Sequence, residues 1–286
     1  MELKTDYGRT SYVIETETRW HDFRFKEVWQ YRDLIVLLVR RNFVGQYKQT
    51  VLGPAWAVIQ PLLTTVVFTV IFGNLAALPT DDMPPFLFYM SANVAWGFFS
   101  SCLTMVSSTF LGNAGILGKV YFPRLVMPIS MVIERMITFF IQFVLFLIIL
   151  LAFLINPSYG IAPNIFMLLT PLLILQMSAL AIGCGIIISS LTVKYRDLGM
   201  LVGFGMQLWM YLTPIAYASS TFPERFRVLF FLNPMTPVIE AFRYAFLGSG
   251  TLPITYLIIS AGTASIILFF GLIIFNRAEK TFLDTI

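Results

Sequence analysis

Two ionisable residues inside an apolar stretch are the first candidates for chemistry in this sequence. Glu134 and Arg135 lie about eight residues inside a long hydrophobic run, and no further charge follows until Lys194. An ionisable side chain at membrane depth is costly and is by default a candidate for function. The alternative is structural: the two side chains reach towards the nearer membrane surface, or pair with Arg124 or Lys194. The residue pattern leaves both interpretations open.

A second charged pair, Glu240 and Arg243, falls in an aromatic segment near the C-terminus. The two residues are three positions apart, so they can pair along one face of a helix. We interpret them as a local ion pair that lets this helix lie in the membrane interface.

Most catalytic and metal-binding constellations are absent from the sequence. The single histidine, His21, lies in the polar N-terminal segment, which excludes histidine metal sites and serine–histidine relays within the membrane. Cys102 and Cys184 fall in apolar stretches and are expected to be packing residues. No G-x-x-x-x-G-K-[ST] phosphate-binding loop occurs. The sequence therefore predicts neither an enzyme nor an ATP-binding chain, and it predicts no cofactor or metal in this chain.

The composition indicates an integral membrane protein. Of the 286 residues, 58% are hydrophobic and only 12% are charged, with a mean hydropathy of +0.80. Soluble domains typically have about a quarter charged residues. The net charge of +4 does not point to nucleic acid, because the basic residues cluster beside apolar stretches and form no basic face.

The apolar stretches predict an all-α membrane fold with six transmembrane helices. A helix needs about 20 apolar residues to cross the bilayer. Six stretches qualify, at about residues 55–78, 86–111, 126–155, 164–191, 198–218 and 253–275. Small residues four apart, at Ala179/Gly183, Ala181/Gly185 and Gly199/Gly203, predict close helix packing.

The remaining segments complete the predicted organisation. Residues 1–25 form a cytoplasmic N-terminal segment, 54–276 the transmembrane domain and 277–286 a cytoplasmic tail. Within the transmembrane domain, residues 222–250 are too charged to cross and too apolar for an ordinary loop, and Asn233-Pro234 divides them. They predict broken, re-entrant gate helices before the last crossing.

Residues 26–53 predict an amphipathic interface helix followed by a turn at Gly53-Pro54. Its apolar face carries Val28, Tyr31, Ile35, Leu38 and Val39, and its polar face carries Lys26, Gln30, Asp33, Arg40 and Arg41. Such a helix lies in the membrane surface with its arginines near the headgroups.

The distribution of Lys and Arg predicts the orientation. The loops after the second, fourth and sixth crossings carry Lys119, Arg124, Lys194, Arg196, Arg277 and Lys280, whereas those after the first and third carry none. The positive-inside rule therefore places both termini in the cytoplasm. The arginines that follow the fifth crossing belong to the re-entrant segment.

Aromatic residues make up 16% of the chain. Those at the bilayer edges are typical belt residues, but an aromatic-lined pore could instead let sugar rings slide past. The candidate channel and gate aromatics are Phe86, Tyr89, Trp96, Tyr211, Phe226, Phe230 and Phe231.

Several motifs occur in the order found in one transporter family. They are RDLIVLLVRRNFVGQYKQTVLGPAWAVIQPL from Arg32, KVYFPRLVMP from Lys119, KYRDL from Lys194, LTPIAY from Leu212 and LNPMTP from Leu232. Together they resemble the permease subunit of type-2 ABC exporters, and more narrowly the O-antigen and teichoic acid exporters. The resemblance covers about Arg32 to the C-terminus.

The resemblance implies partners and a cargo. A homodimer of this chain would pair with two copies of a separate ATPase subunit, which holds ATP and magnesium. The assembly would export a polysaccharide linked to undecaprenyl diphosphate across the bacterial cytoplasmic membrane.

The resemblance also implies roles for particular residues. The ATPase would contact the end of the interface helix, the loop of residues 115–124, which would form a cytoplasmic coupling helix, and, as a smaller contact, the second cytoplasmic loop. The residues concerned are Arg40, Arg41, Lys119, Tyr121, Phe122, Pro123, Arg124, Lys194, Arg196 and Asp197. Our own assignment is that Arg41, Lys48 and Gln49 attract the lipid diphosphate at the cytoplasmic mouth. Two alternatives remain: a type-2 exporter of a small lipid or drug, and a membrane-bound glycan transferase or polymerase.

Overall fold

The computed structural model describes residues 25–117, 122–195, 197–221, 230–250, 252 and 254–285. Every regular element in these ranges is a helix, which confirms the all-α fold. The helices are α1 (Phe25–Gln30), α2 (Arg32–Tyr47), α3 (Trp56–Phe68), α4 (Pro85–Ser107), α5 (Thr109–Gly112), α6 (Ala114–Leu117), α7 (Val126–Leu154), α8 (Thr170–Thr192), α9 (Leu198–Tyr211), α10 (Met235–Leu247) and α11 (Ile254–Thr285). A π-helical turn, Thr69–Leu75, extends α3.

Five helical stretches among the described residues are long and apolar enough to cross a membrane. They are Gly53–Leu75, Pro85–Ser107, Val126–Leu154, Ile165–Thr192 and Ile254–Arg277. These agree with five of the six predicted crossings to within a few residues at each end. The agreement follows from the length of the apolar runs, which is the strongest signal in a membrane sequence.

The predicted fifth crossing, 198–218, is wrong at its C-terminal end. Helix α9 has 14 residues, about 21 Å at 1.5 Å per residue, whereas the hydrocarbon core is about 30 Å thick. Pro214 ends it, because a proline cannot donate to the helix and disfavours helical geometry in the preceding residue. The Thr213 hydroxyl donates back to the Trp209 carbonyl oxygen at 2.8 Å.

The predicted apolar face of residues 26–53 is buried against the protein. Val28, Leu38 and Val39 are buried, and α2 packs along α7. The chain forms two helices, α1 and α2, instead of one. Apolar side chains on other faces, including Trp29 at 70% exposure, remain at the surface. The amphipathic pattern therefore serves helix packing first, which the sequence alone did not distinguish from membrane contact.

The turn after α2 forms as predicted. Gly53 adopts φ +52°, a left-handed geometry that glycine tolerates best. Pro54 then occupies the first helical turn, where its missing N–H costs nothing. These two residues redirect the chain from the surface helix α2 into the first membrane crossing.

The loops between helices gather at two ends of the bundle. We call one the α10 end: it contains α10 and residues 76–84, 155–164 and 212–221. There the Ser220 hydroxyl donates to Asp81 at 2.6 Å, and the Asn164 amide donates to the Tyr244 carbonyl oxygen at 2.8 Å. The other, the α2 end, contains α2 and residues 108–112 and 193–197. Helix α9 carries the chain from the α2 end to the α10 end despite its short length.

Helix α10 occupies the second half of the predicted re-entrant segment. It begins at Met235, directly after the predicted Asn233-Pro234 break, and nearly all of its side chains are buried. The Asn233 side chain accepts from the Met235 N–H at 3.1 Å, which satisfies a donor at the helix start. Residues 222–229, in the first half of that segment, lie outside the described residues.

Close packing between α8 and α11 depends on glycine. A Cβ on Gly271 would lie 2.7 Å from the Gly183 carbonyl oxygen, and a Cβ on Gly183 would lie 2.7 Å from the Leu268 amide nitrogen. Gly185 likewise meets Val106 of α4. The predicted packing role is thus confirmed for Gly183 and Gly185. By contrast, nothing lies within 4 Å of a Cβ on Gly199 or Gly203.

Replacing Gly271 should separate α8 from α11. We expect Gly271→Ala to lower the free energy of unfolding by roughly 1–3 kcal/mol, the usual cost of overpacking, because the new methyl group meets backbone atoms. The measurement is thermal unfolding of the purified chain in detergent. Gly262→Ala in the same helix is the matched control, since its Cβ would enter open space. Equal stability of the two variants would contradict the close-packing argument.

Candidate functional site

A polar cavity of about 310 Å³ opens between α3, α4, α7 and α9. Side chains that would be costly to expose to lipid line it: Gln60, Thr64, Asn93, Ser101, Arg135, Thr138 and Gln142. Amides and hydroxyls at membrane depth need polar partners or water. From these side chains we expect water to enter the space between the helices.

A second cavity of about 660 Å³ lies between α4, the end of α8 and the start of α9. Hydroxyl groups of Thr104, Ser107, Ser108 and Thr192 line it. The two cavities share Ser100, Ser101 and Arg135. Gly199 and Gly203 form part of its wall, so these small residues leave space where close helix packing was predicted.

The polar residues of α4 form one stripe along the helix. Asn93, Gly97, Ser101, Thr104 and, directly after α4, Ser108 recur at intervals of three or four residues, and Ser100 and Ser107 lie beside this row, which places them on one side. The stripe was not predicted, because residues 86–111 were interpreted as a plain crossing. The spacing was present in the sequence and could have predicted a polar wall.

Glu134 and Arg135 of α7 point in different directions because consecutive helical residues are about 100° apart. Glu134 is only 1% exposed, whereas the Arg135 side chain is 20% exposed and lines both cavities. The Nη2 atom of Arg135 lies 3.5 Å from Glu134 Oε1. The two residues thus pair with each other, and only the arginine reaches the cavities.

Helix α2 supplies the surroundings of Glu134. The Asn42 side chain faces the Glu134 carboxylate, and Arg41 donates to the Asn42 side-chain oxygen from Nε at 3.1 Å and from Nη2 at 2.8 Å. Polar groups therefore run from the exposed Arg41 on the surface helix to Arg135 in the cavities.

None of the predicted lipid-diphosphate residues lines the first cavity, but Lys48 and Gln49 directly follow two residues of its wall. Arg41, Lys48 and Gln49 are all exposed, and Gln49 adopts φ +64° just after α2 ends. The cavity wall itself contains the preceding residues, Gln46 and Tyr47. The role of the three predicted residues remains a prediction.

The residues predicted to contact an ATPase are divided in the structure. Arg40, Lys194 and Asp197 are exposed at the α2 end, whereas Phe122 and Arg124 are each only 5% exposed. Phe122 and Arg124 therefore pack against the bundle in this chain, and their contact with an ATPase stays a prediction. Pro123 lies between them and is half-buried. Lys119, Tyr121 and Arg196 lie outside the described residues.

The predicted channel aromatics also separate into groups. Tyr89 has no exposed surface and Phe231 only 4%, so both are packing residues here; Phe86 is half-buried. Trp96 lines the first cavity and meets Trp209 edge to face at 6.4 Å. Tyr211 is 54% exposed, and the half-buried Phe230 lies by Tyr217. Phe226 is not among the described residues.

A buried ion pair stabilises the α10 end. Arg243 is 2% exposed and lies 3.3 Å from Glu240 Oε1, as the spacing predicted. Its Nη2 donates to the Ile215 carbonyl oxygen at 3.0 Å, and its guanidinium carbon lies 3.6 Å from the Phe88 ring centre. Burial raises the pKa of the Glu240 carboxyl group, and the neighbouring Arg243 opposes that rise. Arg243 therefore joins α10, α4 and the chain after α9.

Metal ligands are not grouped in the described part of the chain. No set of three or more His, Cys, Asp or Glu side chains within those ranges is arranged to hold a metal ion.

The fold and cavities define a multi-pass helical membrane protein with polar space at membrane depth. The sequence pattern of the ABC-2 type transporter family matches residues 33–247. The chain belongs to this family, and it is a transmembrane permease of the ABC-2 class. This result confirms the family predicted from the motifs.

Similar proteins extend over almost the whole chain. Two proteins from Klebsiella pneumoniae, each described as O-antigen export system permease protein RfbA, are 31% identical over 252 and 253 residues, which is 88% of this chain and 94% of each relative. A Myxococcus xanthus protein with the same description is 26% identical over 264 residues, 91% of this chain and 98% of the relative.

The hydrated character of the shared cavity wall can be tested by thiol labelling. In a variant lacking both native cysteines, we expect Ser101→Cys to react rapidly with a charged, water-soluble thiol reagent, because a hydrated thiol ionises. Ser91→Cys on the same helix is the control, since Ser91 is fully buried. Mass spectrometry gives the labelled fraction, and equal labelling of both sites would contradict a polar cavity at Ser101.

The Arg243 ion pair can be tested by a double-mutant cycle. Arg243→Gln leaves the Glu240 carboxylate buried without its partner, so we expect a loss of about 3–5 kcal/mol in the free energy of unfolding. Adding Glu240→Gln should recover part of that loss, because no buried charge then remains. Thermal unfolding in detergent measures both effects. A double variant less stable than Arg243→Gln alone would contradict this account.

Proposed function

We propose that this chain is the channel-forming subunit of an ATP-driven exporter. Its cargo is a polysaccharide of the O-antigen or teichoic acid type linked to undecaprenyl diphosphate. The chain lies in the bacterial cytoplasmic membrane with both termini in the cytoplasm. It acts as a homodimer with two copies of a separate ATPase subunit, which supplies the ATP and magnesium sites.

The observation that carries this proposal is the polar wall shared by the two cavities. A chain of sugars has many hydroxyl groups that lose water when they enter a membrane, and each needs a replacement partner. The stripe from Asn93 to Ser108 offers hydroxyl and amide groups at successive turns of α4. The descriptions of the three relatives support the same type of cargo.

The proposed orientation makes the α2 end cytoplasmic. There the exposed Lys194 and Asp197 lie close to the start of α9, and Arg40 and Arg41 are exposed on α2. Closure of the ATPase dimer would push on this end and shift α2 and α9 against α4. Because α4 and α9 line both cavities, such a movement would change the width of the polar path.

An exporter of a small lipid is the second candidate, and one observation favours it. An apolar cavity of about 500 Å³ lies between α4, α8, α9 and α11. Its wall includes Leu103, Ile188, Leu201, Met206 and Ile267. A lateral pocket of this kind suits an acyl or prenyl chain. The same pocket is compatible with the first proposal if the prenyl chain of the carrier occupies it.

The test is ATP hydrolysis by the complex of this chain with its ATPase subunit in lipid nanodiscs. We expect lipid-linked polysaccharide to stimulate hydrolysis in the wild type. The Lys194→Ala/Asp197→Ala variant should lose most of that stimulation, because the altered residues are exposed at the proposed contact. Asp82→Asn is the matched control, since Asp82 is exposed at the opposite end.

Two results would contradict the proposal. If the ATPase subunit does not co-purify with the wild-type chain, the proposed assembly of permease and ATPase is refuted. The membrane-bound transferase then becomes the favoured alternative. If a phospholipid stimulates hydrolysis and the lipid-linked polysaccharide does not, the second candidate replaces the first.

A further inference from the structure

We propose that Arg135 binds the phosphate groups of a prenyl-linked substrate where the two polar cavities meet. The proposal rests on the function proposed above, because it takes a prenyl diphosphate as the carrier. It adds a specific residue inside the membrane to the surface residues Arg41, Lys48 and Gln49.

The guanidinium of Arg135 has donors that its present neighbours use poorly. An arginine carries five N–H donors in a planar fork. Its Nε faces the Met105 sulfur at 3.2 Å, and a thioether is a weak acceptor. Its contact with Glu134 is 3.5 Å, longer than the 2.7–2.9 Å or so typical of a charge-assisted hydrogen bond. Phosphate oxygens match the guanidinium fork better than either partner does.

Glu134 lies beside Arg135 but on the side of α7 that faces away from the cavities. Its carboxylate is buried on the α2 side, next to Asn42, whereas Arg135 lines the cavities. An unpaired arginine at this depth would be costly, and the adjacent carboxylate reduces that cost. A phosphate can therefore reach the guanidinium from the cavity side while Glu134 stays where it is.

Neighbouring hydroxyl groups suit the same ligand. The Ser100 and Ser101 hydroxyls donate to the carbonyl oxygens of Gly97 and Phe98, at 3.3 Å and 3.0 Å. A serine hydroxyl can rotate to another acceptor, and the helix carbonyls keep their own backbone partners. The two hydroxyls can therefore turn towards an anion held by Arg135.

The apolar cavity identifies the source of the phosphate as a lipid. It shares Val202 with the second polar cavity, so an apolar pocket of about 500 Å³ borders the polar space that contains Arg135. A ligand with an anionic head and a prenyl chain fits both spaces at once. Free phosphate would use only the polar part.

The experiment measures binding of farnesyl diphosphate to the full chain in complex with its ATPase subunit in nanodiscs. Trp56 and Trp96 line the first cavity, so quenching of tryptophan fluorescence reports occupancy. We expect Arg135→Gln to raise the dissociation constant about tenfold or more, as loss of a hydrogen bond to a charged group does. Arg135→Lys should recover part of the affinity, because it restores the charge without the fork.

Matched variants and probes separate the possible causes. Arg32→Gln removes a positive charge from the exposed surface of α2 and should leave binding unchanged. Glu134→Gln removes a negative charge that lies 3.5 Å from the guanidinium but outside the cavities, so it should not weaken binding. Farnesol and inorganic diphosphate, which each carry half of the ligand's chemistry, should bind the wild type more weakly than farnesyl diphosphate.

Three results would overturn the proposal. One is a dissociation constant for Arg135→Gln within twofold of the wild type, with normal association of the ATPase subunit. Another is equal weakening of farnesol binding, which would make Arg135 a structural residue. The third is binding of inorganic diphosphate as tight as that of farnesyl diphosphate, which would indicate a site for free phosphate.

Glycan-stimulated ATP hydrolysis, measured on the same samples, separates the two proposals. Stimulation of the wild type together with unchanged binding in Arg135→Gln refutes only the role of Arg135. Absence of stimulation by any lipid-linked glycan refutes the proposed function itself.

Discussion

Every polar group at membrane depth must find its partner inside the protein, and the rest of this structure depends on that constraint. The hydrocarbon core offers no hydrogen bonds, so the backbone crosses it as helix. The irregular segments 76–84, 155–164 and 212–221 gather at the α10 end instead. In line with this constraint, the amides and hydroxyls of α4 line cavities between the helices.

Helix α4 combines two tasks because its sides differ. Its packing sides are rich in apolar and aromatic residues, such as Phe88, Phe98 and Phe99, which are all buried. Its polar stripe from Asn93 to Ser108 forms the wall shared by both cavities. Of the five candidate crossings it is the most buried: 72% of its most apolar stretch lies inside the protein. The central helix of the core is therefore also the helix that any polar cargo would meet.

The two charged pairs are both formed by a glutamate and an arginine, but they have different roles. Arg243 and Glu240 are almost fully buried and link α10 to α4 and to the chain after α9. Glu134 and Arg135 share a weaker contact, and one member of that pair reaches open space. A closed pair stabilises the packing of three segments. A partly open pair leaves donors that a ligand can use, where the two cavities meet.

The sequence by itself determined the features that depend on composition and on the spacing of nearby residues. Long apolar runs predicted five crossings, Gly53-Pro54 predicted the turn after α2, Asn233-Pro234 predicted the start of α10, and the i,i+3 spacing predicted the Glu240–Arg243 pair. The family followed from contiguous motifs. Each of these features is local in the chain, so neighbouring residues are enough to specify it.

Only the tertiary structure decided which faces meet. The apolar side of α2 could face lipid or protein, and its packing against α7 settled that choice. The glycines at 183 and 199 belong to similar motifs, yet α11 covers the first and a cavity borders the second. Phe122 and Arg124 looked like surface residues but are buried. Arg135 meets the cavities only because α3, α4 and α9 surround it, and such contacts between distant segments cannot be read from spacing along one helix.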